Sequence, residues 1–174
     1  VMPTACGGGF GSKIDISFQP YVALAAWKLD RPARICYSRG ESMRASTKRH
    51  PSDIHLRVGC DDKGLISGFV FDGIFNTGAY ASWGPTVANR VPIHACGPYK
   101  TDHYRATSVA VHTNAPPAGA FRGFGVPQSA IAQECAFDLL ADKIGMDRLA
   151  FRRTNALKNG MPTVTGQVFK NGVG

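Results

Sequence analysis

Residues 53–80 read "DIHLRVGCDDKGLISGFVFDGIFNTGAY". "DIHLRVGC" alternates apolar and polar residues, the period of a strand with one buried face. "DDKG" is a turn signal and "LISGFVFDGIF" is the return strand, so the stretch predicts a β-hairpin. Gly68 and Gly73 within the return predict bulges or a close backbone approach.

Downstream, "YRATSVAVHTN" (104–114) is another alternating strand, and "APPAGAFRGFGVPQ" (115–128) is a long glycine- and proline-rich loop. "QSAIAQECAFDLLADKIG" (128–145) has helical periodicity, with Ile131, Cys135, Leu139 and Leu140 on one face and Gly145 as its stop. A second helix is expected in "MDRLAFRRTNALKNG" (146–160), with Asp147 near its start and Gly160 at its end.

Upstream, Ile14 to Leu29 repeats apolar residues at helical spacing, although Pro20 implies a kink or a later start. "RPARICYS" (31–38) reads as a strand with Ile35 and Tyr37 on one face, and "GESMRASTKRHP" (40–51) as a polar loop. No internal repeat or low-complexity tract is visible. The order is helix, strands, then a helix pair. It predicts an α+β fold with a mixed or antiparallel sheet and packed helices, without the regular alternation of a doubly wound sheet.

The chain has 174 residues, 44% of them hydrophobic, which suffices for one core. It contains no 18-residue apolar run, so no membrane span is expected, and "VMPTACGGG" lacks the basic and apolar regions of a signal peptide. The net charge of +8 raises nucleic-acid binding. The basic residues are dispersed, however, and read as a solvated face or a surface for an acidic partner. Five cysteines stand at scattered positions with no CxxC pair, which fits neither a zinc site nor a redox pair. They are expected to be reduced thiols of a cytoplasmic protein, mostly small core residues.

Two glycine-rich loops carry the chemistry. "GGGFGSK" (7–13) opens the first predicted helix, a place where backbone can approach an anion. A P-loop would need Gly-Lys followed by Ser or Thr, whereas here the order is Gly11-Ser12-Lys13. A dinucleotide fingerprint would need a third glycine where Ser12 stands, and "VMPTAC" is a poor strand. In "GAFRGFGVPQ" (119–128), Phe121 and Phe124 flank Arg122 among glycines. Such aromatics are either core plugs or walls of a slot for a flat ligand, and the arginine can pair with an anion or stack.

Taken together, "GGGFGSK", "TNAPPAGAFRGFGVPQ" and "LADKIGMDRLAFRRTNALKNG" resemble the molybdenum-binding part of the xanthine dehydrogenase and aldehyde oxidase family. "RHPSDIHLRVGCDDKG", "NTGAY" and "HACGPY" fit the same pattern in the same order. The resemblance implies that Gly9, Phe10 and Gly11 bring backbone to a molybdenum–pterin cofactor and that Arg122 lies beside the metal centre. It implies that Phe121 and Phe124 hold an aromatic substrate, and that Arg90 stabilises negative charge developing on it. No residue of this chain is implied as a metal ligand. Purine-oxidising members carry a glutamate where this chain has Ile14, and carbon monoxide-oxidising members a cysteine where it has Gly123. The family's catalytic glutamate lies downstream of the matched region. Residues 1–174 are therefore expected to form a single partial cofactor-binding domain, inactive alone.

The implied parent is a molybdenum hydroxylase that inserts oxygen from water into an aromatic N-heterocycle, a purine or a pyridine carboxylate. An aldehyde oxidoreductase is the alternative. Implied partners are the rest of the molybdenum chain and 2Fe-2S and FAD domains or subunits, within an oligomer and without membrane or nucleic acid. From another class, a non-catalytic basic binding module remains as a rival.

Overall fold

The computed structural model describes residues 2–3 and 5–173. The hairpin forms as β1 (Ser52–Cys60) and β2 (Ile66–Gly78), antiparallel, with Leu56 opposite Phe71. Asp61 closes the turn, its carboxylate accepting from the amides of Lys63 and Leu65. The register shifts between Gly59, opposite Gly68, and Cys60, opposite Ile66, which leaves Ser67 as the extra residue of a bulge beside Gly68. At Gly73 the close neighbours are aromatic rather than backbone: a Cβ there would lie 2.8 Å from the Phe71 ring and 2.9 Å from that of Phe75.

β3 (Tyr104–His112) pairs with β2 in parallel, giving a mixed sheet of order β1-β2-β3. A parallel pair needs a crossover. It is supplied by a helix between them, Gly84–His94, which buries Val87, Ala88 and Val91. The hairpin is preceded by α1 (Gln19–Leu29) and α2 (Arg39–Ala45); the crossover helix is α3, followed by α4 (Val126–Lys143) and α5 (Arg148–Asn155). Phe69, Phe71 and Phe75 alternate along β2 onto one buried face. There the Phe137 ring of α4 packs edge-on against Phe69 and against Phe151 of α5. The opposite face is polar in part, with Arg57 and Arg105 both reaching Asp72.

The α+β expectation holds, with several corrections to its elements. The first helix starts at Gln19 rather than Ile14, with Pro20 in its first turn, where a missing N–H costs nothing. Residues 31–38 form no strand, because no neighbouring strand pairs with them among the described residues. The expected loop at 40–51 contains α2, started by a capping box in which Ser38 and Glu41 bond each other's backbone. The Ile131, Cys135, Leu139 face of α4 points outward, Ile131 and Leu139 being 69% and 70% exposed; the buried face is Gln128, Ser129, Gln133, Phe137 and Ala141. α5 ends at Asn155, before Gly160, and Asp147 caps its start by accepting from the Ala150 amide. Of the cysteines, Cys6, Cys36 and Cys135 are exposed and Cys96 is buried, so the expectation that most fill the core fails. No helix among the described residues is long and apolar enough to cross a membrane.

Candidate functional site

The two glycine loops meet. The amide of Arg122 donates to the Phe10 carbonyl at 2.9 Å. Gly11 has φ +90, and a Cβ on it would lie 2.8 Å from the Ala120 carbonyl oxygen and 3.0 Å from the Phe121 nitrogen. Glycine is thus required at Gly11 on two counts, its left-handed backbone and the second loop pressed against it. Gly9 differs, since a side chain there would meet open space.

Phe10 and Phe124 both take left-handed φ angles, 52° and 50°, which are uncommon for bulky residues and follow from the tight turns at each loop tip. In the second turn, the Phe124 amide donates to the Phe121 carbonyl at 2.7 Å. The result is a cleft of about 310 Å³ bounded by Phe10, Gly11, Ile14, Arg90, Phe121 and Phe124. Arg90 enters from α3, its guanidinium 5.9 Å from the Phe124 ring centroid, and Trp83 packs edge-on against the same ring. Burial and the Arg90 charge together hold the His94 imidazole below its usual pKa. The structure thus brings the candidate substrate residues Arg90, Phe121 and Phe124 to one place, along with Phe10 and Gly11. Arg122 lies at the rim, with its guanidinium 6.0 Å from the Phe10 ring.

A larger cleft of about 780 Å³ opens on the other side of Phe10 and Arg122, with Lys13, Arg39 and Lys48 on its walls. Lys48 donates to the Ser42 carbonyl at 2.7 Å, at the end of α2. Its amine is held below its usual pKa by burial, then by the charges of Arg39 and Lys13.

The sequence reading missed Arg49. Its guanidinium stacks 4.6 Å from the Phe121 ring centroid and donates to the Arg122 carbonyl at 2.6 Å and to Gln128 Oε1 at 3.4 Å. Gln128 in turn donates to the His50 carbonyl. The "RHP" beginning of a motif at 49–51 was the available signal, but nothing in local sequence shows that it reaches a loop more than seventy residues away.

The loop geometry suits a bulky anionic or oxo-bearing group. Among the described residues, the amides of Gly9, Phe10 and Gly11 donate to no protein acceptor. Consecutive unpaired amides beside glycines that leave open space form an anion-accepting cradle.

The molybdopterin cofactor-binding domain family matches residues 1–156. This chain belongs to that family. It is 40% identical to the nicotinate dehydrogenase large molybdopterin subunit of Eubacterium barkeri, over all of this chain and 41% of that one. It is 35% identical to the xanthine dehydrogenase molybdenum-binding subunit of Escherichia coli O157:H7, over 92% of this chain and 21% of that one. Among solved structures, the aldehyde oxidoreductase of Desulfovibrio gigas superposes with a TM-score of 0.85 at 32% identity, over 93% of this chain and 18% of that one. The chain therefore spans well under half of the relatives it matches.

Proposed function

We propose that residues 1–174 form one wall of the active site of a molybdenum hydroxylase whose substrate is an electron-poor N-heterocycle of the pyridine carboxylate kind. The observation that carries this reading is the cleft in which Phe10, Phe121 and Phe124 surround a space reached by Arg90, with Ile14 on its wall. When bound, the molybdenum–pterin group supplies two-electron redox chemistry and the activation of water-derived oxygen. The chain's own residues do the rest. Gly9, Phe10 and Gly11 offer amide donors to the cofactor, and Arg122 borders it. Phe121 and Phe124 hold a flat ring and exclude water from its faces. Arg90 meets negative charge, either a carboxylate on the substrate or charge developing in the ring.

Ile14 sets the selectivity. It offers no acceptor, so a purine N–H facing it would be buried unpaired, at a cost of about 1–3 kcal/mol. A pyridine carboxylate has no such donor. The substrate named for the Eubacterium barkeri relative, nicotinate, is of this class. Iron–sulfur and flavin partners would carry the electrons away, as in the family at large. The aldehyde reading is supported by the structural likeness to an aldehyde oxidoreductase and needs no ring slot.

The test is a substrate panel on the complete enzyme. Nicotinate is expected to exceed xanthine and benzaldehyde in kcat/KM. Xanthine or hypoxanthine winning by a wide margin would show that a residue outside this chain replaces the missing carboxylate.

A further inference from the structure

The connection between β2 and α3 is fixed by a side chain from the first glycine loop. Residues 79–83 join Gly78 to Gly84, and near the end of that connection Ser82 has φ 41. Such left-handed backbone is disfavoured for a residue with a Cβ and persists only where its surroundings hold it. The start of the connection is tied to its neighbours: the Ala79 amide donates to the Ala115 carbonyl at 3.0 Å, and Thr77 Oγ1 donates to the Ala81 carbonyl at 2.9 Å. The tie on Ser82 comes from further away. Its hydroxyl donates to Asp15 Oδ1 at 2.6 Å, across 67 positions of sequence.

Among the described residues, that is the one hydrogen bond the Asp15 carboxylate makes. Its Oδ2 is buried without a partner. It lies against the bare Cα of Gly119, which opens the second glycine loop: a Cβ there would be 2.5 Å from Asp15 Oδ2, 2.9 Å from Thr47 Cβ and 3.0 Å from Ser82 Oγ. The carboxylate is thus seated where both glycine loops and the β2–α3 connection come together. Burying one carboxylate oxygen unpaired opposes stability, so the placement is explained by what the other oxygen fixes. Trp83 follows Ser82 directly, at the start of α3, and packs edge-on against the Phe124 ring with centroids 6.0 Å apart. α3 also carries Arg90, whose guanidinium is 5.9 Å from the same ring.

We propose that Asp15 is a positioning residue for the ring slot. Through Ser82 and Trp83 it fixes Phe124 and the start of α3, and so sets the wall that faces the substrate beside Arg90. Asp15 itself does not line that cleft. The role rests on the reading of the cleft as a substrate slot.

The test uses the complete enzyme. Ser82→Ala removes the hydrogen bond without touching either glycine loop, and Asp15→Ala removes it from the other side. Each should raise KM for the best substrate of the panel by about three- to tenfold, as expected for one charge-assisted hydrogen bond, with kcat within about twofold of wild type. The double variant should be no worse than either single one, because both act through one contact. Asp15→Asn keeps an accepting oxygen and should hold KM within about twofold of wild type. The Gly84 amide, which donates to the Ala81 carbonyl at 2.7 Å, should exchange faster in both alanine variants, by about tenfold. An additive double variant, an asparagine variant as impaired as the alanine one, or unchanged Gly84 exchange overturns the proposal. A fall in kcat with KM unaltered also overturns it, since that marks a merely structural loss. If Asp15→Ala does not accumulate as folded protein, Ser82→Ala and Asp15→Asn decide. Gly84 exchange involves no substrate, so its failure removes the positioning role, whereas failure of the substrate panel alone removes the heterocycle reading.

Discussion

Arg49 connects three parts of the cleft through one planar group: the face of Phe121, the carbonyl of Arg122 and the amide of Gln128. A lysine has neither the fork nor the flat face to make all three contacts. Arg49→Lys should loosen Phe121 without removing any atom from the cleft wall. The stacking contact contributes about 0.5–1 kcal/mol and the charged hydrogen bond somewhat more, so a net loss of about 1–2 kcal/mol is expected. That corresponds to a rise of about five- to thirtyfold in KM for a ring substrate in the complete enzyme. Molybdenum content should be unchanged, because the amides of residues 9–11 are untouched. A fall in kcat with KM unaltered, or loss of molybdenum, would show that Arg49 acts on something other than the ring wall. At this scale the sequence was legible wherever a residue type is rare in its setting. Phenylalanines among glycines marked the cleft, and glycine at position 11 marked a close approach. The atoms that approach Gly11 are those of Ala120 and Phe121, a contact between distant loops that spacing alone does not reveal.

Elements were legible where their pattern had a partner inside the chain. The 53–80 hairpin follows from alternation because both strands are present and one face meets α4. The 31–38 stretch has a comparable pattern, but a strand exists only with a neighbour to pair with. α2 carried its own signal in Ser38 and Glu41, three residues apart, which a reading centred on apolar periodicity passes over. The outward face of α4 misled for a related reason: its inward face is half polar, with Gln128, Ser129 and Gln133 buried through hydrogen bonds rather than hydrophobicity. Asn155, the last residue of α5, shows how such polar groups join elements. It accepts from the Ile66 amide at 2.8 Å and donates to the carbonyls of Gly64 and Phe151, fastening the helix to the hairpin turn. Asn155→Ala leaves these buried groups unpaired and should cost about 2–4 kcal/mol. The expected readouts are a lower urea midpoint for the complete chain and faster exchange of the Ile66 amide. An unchanged midpoint would mean that water takes over the lost bonds.

At the scale of the whole molecule, residues 1–174 hold a core but not a closed site. The sheet, α3, α4 and α5 bury a shared set of phenylalanines, whereas α1 turns Tyr21, Leu24, Trp27 and Leu29 to solvent. The cleft is likewise one-sided. Its walls are the two glycine loops and the end of α3, and no carboxylate is among its lining residues to act as a general base. Hydrogen bonds from three amides contribute only about 0.5–1.5 kcal/mol each against the entropy lost when a large cofactor is immobilised. That is too little to retain it when its other face is open to water. The segment 1–174 produced alone in a cofactor-proficient host should therefore be helical and sheet-containing by circular dichroism, yet carry molybdenum far below one equivalent by elemental analysis. The complete enzyme from the same host should approach one equivalent. Stoichiometric molybdenum in the isolated segment would show that these two loops suffice as a cradle and that the missing wall serves the reaction rather than retention of the cofactor.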